Sequence, residues 1–457
     1  MVNLFNQQQT ILVLGLGETG ASVLRWLKQY PDLRVIAADT RDNPPHIESL
    51  KECFSGISFY CGKEADRAID RAHIIIASPG IPLSYPPIVE AIKRGAQVMG
   101  DVEIFARLVG QSTSKPILIG ITGSNGKSTV TTMVGEILKE AGLKTAVVGN
   151  IGTPVLDAIN EPEAYQAYVI ELSSFQLETT DSLYLDAATV LNLSEDHLDR
   201  YPGMREYAAA KERIFKHCKA RVTNRDDRYS SAMTEQGTLT FGLSAPQIST
   251  DWGTQKIDDQ LWVYQGSTPY FSVDRFPLAG LHNVANAMAA LALTQAVGID
   301  PVAACASLTR FKGLPHRVEF VTRHNDITFY DDSKGTNVGA TVAALEGLPQ
   351  KVVLIAGGEG KGQDFSPLQS ALKQHARALV LIGRDAPLIE QATQHSGIPT
   401  VFAKDMKEAV VKSLDFALKG DAVLLSPACA SFDMFDNYLH RAQVFIRSVE
   451  EVIGDSA

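Results

Sequence analysis

Residues 117–129, ILIGITGSNGKST, constrain the fold of this chain more than any other stretch. Four of the first five residues are apolar, as in a buried parallel strand, and the residues that follow the loop have helical periodicity. A glycine turn between a strand and a helix presents backbone N–H groups and a positive helix end to an anion. The stretch therefore predicts a phosphate-binding loop in a parallel α/β sheet.

The residue types of this loop suit a nucleoside triphosphate. Gly123 and Gly126 permit the turn, Lys127 can reach the outer phosphates, and Ser128 can ligate Mg²⁺. Ile121 stands where the usual Walker pattern has its first glycine, so a glycine turn without a ligand remains an alternative. Binding of ATP or GTP is the better interpretation.

Length, charge and cysteine content limit the class of protein. A chain of 457 residues suggests about three domains, and a net charge of -10 argues against a general nucleic-acid binder. The five cysteines form no CxxC pair, which suits a reducing cytosol. The start lacks a basic signal region, and no apolar run reaches membrane length. We therefore expect a cytoplasmic protein that binds neither nucleic acid nor membrane.

A second glycine motif lies near the amino terminus. Gly15, Gly17 and Gly20 have GxGxxG spacing between a strand and a helix, and the next strand ends in Asp39. A dinucleotide fold places its ribose-binding acid at about this position. The motif predicts a Rossmann-like unit, but its ligand could be NAD or another nucleotide, or the glycines could only permit close packing.

Three polar residues beyond the phosphate loop are candidates for a functional site. Glu171 ends a predicted strand on the same sheet edge as the loop, where it is either a Mg²⁺ ligand or a solvated acid. The spacing around His197 does not distinguish a metal ligand from a loop histidine. Lys211 shares an apolar helical face that runs from Tyr207 to Cys218. Its ammonium is expected to reach water, the alternative being a buried neutral amine that reacts with CO₂ to give a carbamate.

The later part of the chain adds contacts from another unit. Asn283 and Asn286 begin an apolar helix, which they could cap, or they could contact a purine base. Arg317 follows a glycine-proline segment that resembles a hinge and is available to a phosphate. Lys361 in a glycine-rich loop could bind a carboxylate or be an exposed lysine.

The alternation of strands and helices predicts an α/β protein of three domains. The N-terminal domain, 1–106, is expected to be Rossmann-like. The central domain, 107–313, is expected to have the parallel sheet of P-loop ATPases, and the C-terminal domain, 314–457, to be Rossmann-like.

Ten motifs, which lie in the predicted central and C-terminal domains, together resemble the Mur ligases: TGSNGKST, GNIG, ELSSFQLE, EDHLDRY, AAKERI, LHNVANA, GLPHR, DDSKGTN, GGEGKGQDFSPL and LSPACASFD. The resemblance is taken to cover essentially the whole chain, and it implies that the N-terminal domain binds a UDP substrate and the C-terminal domain an amino acid. It implies a monomeric ligase of cytoplasmic peptidoglycan synthesis that uses ATP to join two small molecules, UDP-N-acetylmuramoyl-L-alanine and D-glutamate. An acyl phosphate is the implied intermediate, and ADP and phosphate are released.

Carried over position by position, the resemblance also implies the site residues. Residues that would bind ATP are Gly123, Asn125, Gly126, Lys127, Ser128, Thr129, Asn283, Asn286, Arg317 and Asp332. Two Mg²⁺ ions would be held by Ser128, Glu171, His197 and Lys211, the last as a carbamate; the implied catalytic residues are Lys127, Glu171, His197 and Lys211. The UDP substrate would contact Gly17, Glu18, Thr19, Asp39, Thr40, Arg41, Gly80, Asn150 and Ser173. D-Glutamate would contact Lys334, Thr336, Lys361, Ser431 and Phe432.

Two alternatives stay open at the level of sequence. Folylpolyglutamate synthase shares the ATPase domain, although the amino-terminal GxGxxG motif favours a UDP-sugar substrate. A nicotinamide-dependent oxidoreductase with an accessory ATPase is the other, and a change of absorbance in the nicotinamide band would identify it.

Overall fold

The computed structural model describes residues 4–45, 47–161, 163–196, 200–278 and 280–454. Within these ranges the chain forms three successive sheets, each with helices between its parallel strands. The predicted α/β class, with Rossmann-like sheets on either side of a larger central sheet, is confirmed. None of the described helices has the length and apolar character that a membrane crossing requires.

The N-terminal unit is a parallel sheet in the order β3-β2-β1-β4-β5, covered by four helices in the described ranges. Its elements are β1 (Thr10–Leu14), α1 (Glu18–Leu27), β2 (Arg34–Asp39), α2 (Ile47–Cys53), β3 (Ser58–Cys61), α3 (Glu64–Arg71), β4 (Ile74–Ala77), α4 (Pro86–Lys93) and β5 (Gln97–Met99). The strand order reverses between β1 and β4, and ligands of such sheets bind in the crevice at that point. Helix α5 (Asp101–Gly110) leads to the central unit and contains residue 106.

The central unit is a sheet in the order β14-β13-β12-β11-β10-β9-β6-β8-β7, as far as the chain is described. Its first part comprises β6 (Ile117–Thr122), α6 (Lys127–Glu140), β7 (Thr145–Gly149), α7 (Val155–Ile159), β8 (Ala167–Glu171), α8 (Ser174–Glu178), β9 (Leu185–Val190) and α9 (Met204–Glu212), with a 3₁₀ turn at Arg213–Phe215. Its second part comprises β10 (Cys218–Asn224), α10 (Arg228–Ala232), β11 (Leu239–Phe241), β12 (Trp252–Ile257), β13 (Gln260–Gln265), β14 (Thr268–Ser272), a 3₁₀ turn at Val273–Arg275, α11 (Leu281–Ala296) and α12 (Pro301–Leu308).

The sheet is parallel from β7 to β12 and ends in an antiparallel meander of β12, β13 and β14. The helical face predicted to run to Cys218 is shorter than expected, because that residue already begins the parallel strand β10. Lys211 and Tyr207 remain together on α9.

The C-terminal unit has the strand order β15-β16-β20-β17-β18-β19, in which β15 alone of the described strands runs antiparallel to its neighbour. Its elements are β15 (Glu319–His324), β16 (Ile327–Asp331), α13 (Val338–Gly347), β17 (Val352–Gly357), α14 (Pro367–His375), β18 (Ala376–Ile382), α15 (Ala386–Thr393), β19 (Thr400–Phe402), α16 (Met406–Phe416), β20 (Ala422–Leu425) and α17 (Tyr438–Gly454). Strands β17 and β20 are fully buried apolar runs, as expected in a sheet covered on both faces.

Candidate active site

The phosphate loop has the strand, turn and helix that the sequence predicts. Gly123 and Gly126 have φ of 151° and 81°, and a Cβ on Gly126 would lie 2.4 Å from Oδ1 of Asn286. Both positions therefore need glycine, the second for space as well as for its left-handed backbone. Nζ of Lys127 donates to the carbonyl oxygens of Gly123 at 2.9 Å and Ser124 at 2.8 Å. The lysine folds back over the turn, where its charge can meet a phosphate.

Arg317 reaches this loop from the segment between the central and C-terminal units. Its Nη2 donates to Oγ of Ser128 at 3.2 Å, and its buried Nε has no hydrogen-bond partner among the described residues. The flanking His316 and Val318 have φ of 63° and 51°, a left-handed backbone that is strained for such residues. His316 is fixed by a 2.6 Å contact from Nδ1 to Oδ2 of Asp331. The segment thus holds a guanidinium with an unused donor against the phosphate loop.

Glu171 ends β8 beside the loop, and its side chain is 1% exposed. Its Oε1 accepts a hydrogen bond from Nδ2 of Asn150 at 2.8 Å. Its Oε2 is buried and has no hydrogen-bond partner within the described ranges. A buried carboxylate oxygen left without a donor is costly unless a cation meets it, so the position suits a metal ligand and excludes a solvated acid.

Lys211 is buried, with 2% of its surface exposed, so the expectation that its ammonium reaches water is wrong. Nζ instead donates to Oγ1 of Thr122 at 3.2 Å and to the Gly123 carbonyl at 3.0 Å, and lies 4.9 Å from the Tyr207 ring centre. Burial lowers the pKa of Lys211 well below its usual value, and the nearby charge of Lys127 lowers it further. The neutral amine is therefore the favoured form.

His197 lies outside the described residues, so its predicted role as a metal ligand remains a prediction. The described residues on either side of it are Asp196 and Arg200. The carboxylate of Asp196 is close enough to oppose the lowering of the pKa of both Lys127 and Lys211. This segment therefore places negative charge near the two lysines.

A cleft of about 360 Å³ lies between the central and C-terminal units. Most residues predicted to contact ATP line it: Asn125, Gly126, Thr129, Asn283, Asn286, Arg317 and Asp332. Burial raises the pKa of Asp332 to about 7, against the opposing effects of a bond from Ser426 and the charge of Arg317. Burial and the same arginine lower the pKa of His282 to about 4, so this histidine is neutral near pH 7. The cleft thus combines cationic, amide and apolar surfaces, as a nucleotide requires.

Asp39 ends β2, but its carboxylate is already engaged by the protein. It accepts bonds from the Leu16 backbone N–H at 2.8 Å and from Nε and Nη2 of Arg41 at 2.9 and 2.7 Å. Burial alone would raise the pKa of Asp39, but these bonds outweigh it and the pKa is lowered. The other predicted UDP contacts of this unit lie beyond the carboxyl ends of β1, β2 and β4: Gly17, Glu18, Thr19, Thr40 and Gly80.

The two remaining predicted UDP contacts lie on the central unit beside the metal candidates. Asn150 follows β7 and bonds Glu171. Ser173 caps α8 in a capping box with Gln176, because its Oγ accepts from the Gln176 N–H at 3.2 Å. The carboxyl edge of the central sheet therefore brings a predicted UDP contact and a predicted metal ligand into direct contact.

The predicted D-glutamate contacts lie on three loops at the carboxyl edge of the C-terminal sheet. The loops are joined by a bridge between Glu359 and Ala430 and by Gln363, whose side chain bonds the Val338 N–H at 2.9 Å and the Ala428 carbonyl at 2.8 Å. These loops contain Lys334, Thr336, Lys361, Ser431 and Phe432.

Four of the five predicted contacts differ in exposure and in the structure that surrounds them. Nζ of Lys334 lies 3.3 Å from the Tyr438 hydroxyl oxygen, and Lys361 has a left-handed φ of 53°. Ser431 is buried, whereas Phe432 is 67% exposed. The two lysines and the buried hydroxyl could hold a small dicarboxylate.

Four residues that sequence reasoning did not select connect these sites: Asn192, Arg200, Asn337 and Gln363. Arg200 donates to the carbonyl oxygens of Pro79, Gly80 and Ile81 at 3.2–3.4 Å, and its guanidinium lies 4.3 Å from the Phe175 ring centre. Arg200 lies within the EDHLDRY motif, Asn337 within DDSKGTN and Gln363 within GGEGKGQDFSPL, and these motifs are the signal that could have identified them. Asn192 lies in none of the ten motifs.

Comparison with known proteins gives matches along nearly the whole chain. Residues 9–100 match the N-terminal domain of MurD-like Mur ligases, 121–294 the Mur ligase middle domain, and 316–429 the glutamate ligase domain of Mur ligases. A protein of Methylobacillus flagellatus named UDP-N-acetylmuramoylalanine--D-glutamate ligase is 52% identical over 448 residues, covering 98% of each chain. A protein of Nitrosospira multiformis with the same name is 52% identical over 455 residues, covering 98% of this chain and 96% of that protein.

Solved structures share the fold at lower identity. The UDP-N-acetylmuramate-alanine ligase of Thermotoga maritima superimposes with a TM-score of 0.62 at 20% identity, covering 97% of this chain and 100% of that one. A pseudomurein peptide ligase of Methanothermus fervidus gives the same score, identity and coverage. The three-part architecture is therefore shared with these proteins.

Proposed function

Since this chain belongs to the Mur ligase family, as its motifs indicated, we propose that it is an ATP-dependent ligase that joins D-glutamate to UDP-N-acetylmuramoyl-L-alanine. The reaction releases ADP and phosphate and belongs to cytoplasmic peptidoglycan precursor synthesis. The substrates are small molecules, and we propose that the chain acts as a monomer. The proposed domain boundaries are 1–106, 107–313 and 314–457.

One arrangement carries this proposal: groups that suit three different substrates converge from three units. The phosphate loop and Glu171 lie at the edge of the central sheet, and Arg317 reaches Ser128 from the segment that leads into the C-terminal unit. The loop around Gly80 approaches from the N-terminal unit through Arg200. A ligase that uses ATP to join a carboxylate to an amine must bring all three substrates together, and this requires such convergence.

The chemistry overcomes the low reactivity of a carboxylate. An oxygen of the L-alanine carboxylate attacks the γ-phosphorus of ATP. The bond between the γ-phosphorus and the oxygen that bridges the β- and γ-phosphates breaks, which gives an acyl phosphate and ADP. The D-glutamate amine then attacks the acyl carbon, and the tetrahedral intermediate expels phosphate while the amine loses its proton. Lys127 and Arg317 offer positive charge to the phosphate oxygens, where negative charge would otherwise repel the attacking carboxylate.

A magnesium site fits the residues of the central unit. The Oε2 atom of Glu171, which is buried and has no hydrogen-bond partner in the described part of the chain, and the Ser128 hydroxyl would hold one ion, because hard oxygen ligands suit Mg²⁺. When bound, Mg²⁺ neutralises phosphate charge. His197 and carbamylated Lys211 would hold a second ion.

Carbamylation of Lys211 is supported by burial and by its neighbours. The Lys211 amine and the Lys127 ammonium both donate to the Gly123 carbonyl, and this proximity, together with burial, favours the neutral amine of Lys211 that can react with CO₂. CO₂ addition would convert Lys211 into an anion, which attracts Lys127 and can ligate a metal. Crystals grown with bicarbonate and Mg²⁺ should show a carboxylate on Nζ. Bare Nζ density, together with no rescue of Lys211→Ala by short carboxylic acids, would exclude the carbamate.

The UDP substrate is proposed to bind in the crevice of the N-terminal unit and against Asn150 and Ser173. Because Asp39 is occupied by Leu16 and Arg41, the diphosphate would meet backbone N–H groups at the start of α1. D-Glutamate is proposed to bind the three C-terminal loops through Lys334, Thr336, Lys361, Ser431 and Phe432.

Phosphate release tests this function. ATP, Mg²⁺ and UDP-N-acetylmuramoyl-L-alanine are supplied with a panel of amino acids, and D-glutamate should give the fastest release by a wide margin. Lys127→Ala should lower kcat by about 10²-fold or more, because a transition-state charge contact is lost. Equal release with several amino acids would contradict the substrate assignment, and normal turnover by Lys127→Ala would remove the loop from the mechanism.

A further inference from the structure

A reciprocal amide pair joins the phosphate loop to the C-terminal unit. Nδ2 of Asn125 donates to Oδ1 of Asn337 at 3.2 Å, and Nδ2 of Asn337 donates to Oδ1 of Asn125 at 3.0 Å. The two residues are 212 positions apart and belong to different sheets. Each amide therefore uses a donor and an acceptor on the other unit, which fixes the orientation of both.

Both asparagines also make hydrogen bonds within their own unit. The Asn125 N–H donates to Oδ1 of Asn192 at 2.8 Å, and Nδ2 of Asn192 donates to the Asn125 carbonyl at 3.0 Å. Oδ1 of Asn337 caps α13 by accepting from the Ala340 N–H at 2.9 Å, and Asn337 is 4% exposed. A displacement of α13 is thus passed to the backbone directly before Gly126.

Gly339 makes this close approach possible. A Cβ at this position would lie 3.1 Å from Oγ of Ser194 and 3.2 Å from Nδ2 of Asn125. Glycine costs a helix about 1 kcal/mol relative to alanine, and α13 alone gives no reason for it. The contact with the phosphate loop across the unit boundary gives that reason.

We propose that Asn337 is a positioning residue that latches the C-terminal unit onto the phosphate loop through Asn125. The loop is then held by hydrogen bonds from both units when the C-terminal unit is docked, and only by those of the central unit, from residues such as Asn192 and Ser194, when it is not. Phosphoryl transfer becomes coupled to the presence of the unit that delivers the attacking amine. The inference rests on the proposed function for its catalytic consequence, but the docking contact does not.

Asn337→Asp tests the pair with little change of shape. A carboxylate still caps α13 but cannot donate to Oδ1 of Asn125, so two acceptor oxygens would face each other. Asn337→Ser keeps a helix cap, adds no charge and is too short to reach Asn125. Asn437→Asp is the matched control, because Asn437 caps α17 through the His440 N–H at 2.9 Å.

Kinetics and solution scattering of the full chain decide the proposal together. Both Asn337 variants should lower kcat by about tenfold, as expected for a lost buried hydrogen-bond pair, and should keep the melting temperature of the control. With the non-hydrolysable analogue AMPPNP and Mg²⁺, their radius of gyration should exceed that of the wild type. Gly339→Ala should also lower kcat and raise the radius of gyration, by smaller amounts, without loss of thermal stability.

The contrary outcomes are equally distinct. If kcat falls but the scattering equals that of the wild type, the latch is overturned in favour of a local effect on ATP. If the scattering changes while kcat does not, docking is not coupled to the phosphate loop. A wild-type protein that releases no phosphate with the proposed substrates would refute the proposed function, whereas the scattering comparison would still decide the docking contact.

Discussion

The N-terminal and C-terminal units are both parallel sheets covered by helices, but they attach to the central unit by different chemistry. One continuous apolar core contains Trp26 and Phe105 from the N-terminal side and Tyr168 from β8. The two apolar clusters of the C-terminal unit contain no central residue in the ranges that the structure describes. That unit meets the central one through polar contacts, which include the amide pair and a bond from the Asp364 N–H to Glu195 at 3.4 Å, and through the close approach of Gly347 to Gly280.

The difference indicates which parts move together. A shared apolar core stabilises one arrangement in proportion to the area buried, whereas polar interfaces between domains resemble transient ones and permit relative motion. We therefore expect the first two units to form one rigid body that presents the UDP substrate to ATP. The C-terminal unit, which is proposed to bring D-glutamate, would dock and undock.

Breaking the apolar attachment should have the largest effect on stability. The ring of Phe105 packs edge-on against Tyr168, with centroids 5.1 Å apart, and is completely buried. Phe105→Ala should destabilise the protein by about 3–5 kcal/mol, measured by urea unfolding. Phe320, which is 59% exposed on β15, provides the control, and Phe320→Ala should change stability by less than about 1 kcal/mol. Equal losses would show that the Phe105 ring in the shared core stabilises the protein no more than an exposed ring does.

On the C-terminal side the expected effect is on one substrate. If Lys361 binds a carboxylate of D-glutamate, Lys361→Ala should raise the KM for D-glutamate by about tenfold or more, because a charge-assisted bond is lost. The KM for the UDP substrate should stay nearly constant. Steady-state kinetics with each substrate varied in turn would show this. A parallel rise in both values would indicate failed docking instead, and no change would mark Lys361 as an exposed lysine.

On the N-terminal side Arg200 should have the complementary, smaller effect. Its bonds to Pro79, Gly80 and Ile81 hold the loop that is proposed to contact the UDP substrate. Arg200→Ala should raise the KM for that substrate by about threefold to tenfold and leave the KM for D-glutamate unchanged.

Arg200→Lys and an unrelated arginine separate positioning from general stability. The lysine keeps the charge but not the fork of donors, so it should restore the KM in part. Arg25 also crosses to the central unit, pairing Asp157 at 2.6 Å on the outer surface. Arg25→Ala should leave every KM unchanged. A rise of the UDP-substrate KM in the Arg25 variant would mean that loosening the interface is sufficient, and that Arg200 has no specific role.

The sequence predicted what is encoded locally and missed what joins the units. The phosphate loop and Glu171 at a strand end follow from periodicity and glycine placement over a few residues. The burial of Lys211 was missed because a lysine on an apolar helix face satisfies both the exposed and the buried interpretation. The contacts of Arg200 and Asn337 depend on how separate sheets pack, and no local pattern in a single sequence records that packing.

The smallest expected effect concerns Asp332, which lies in the cleft between the rigid and the dockable parts. Its pKa of about 7 lies above the ordinary value of 3.8, so the folded state holds this proton more tightly than the unfolded state does. The contribution of Asp332 to the free energy of unfolding should therefore fall as pH rises from about 4 to about 7. In this range the carboxyl of the unfolded chain ionises freely, whereas ionisation in the folded state would bury a negative charge. Asparagine cannot titrate, so without ATP the Asp332→Asn protein should lose less stability between pH 5 and 7 than the wild type does, by on the order of 1 kcal/mol.

Urea midpoints at the two pH values measure this difference, with Asp436→Asn at an exposed position as the control for removing one carboxylate. Identical pH slopes in all three proteins would show that Asp332 keeps an ordinary pKa, and that the cleft is more open to water than its burial indicates.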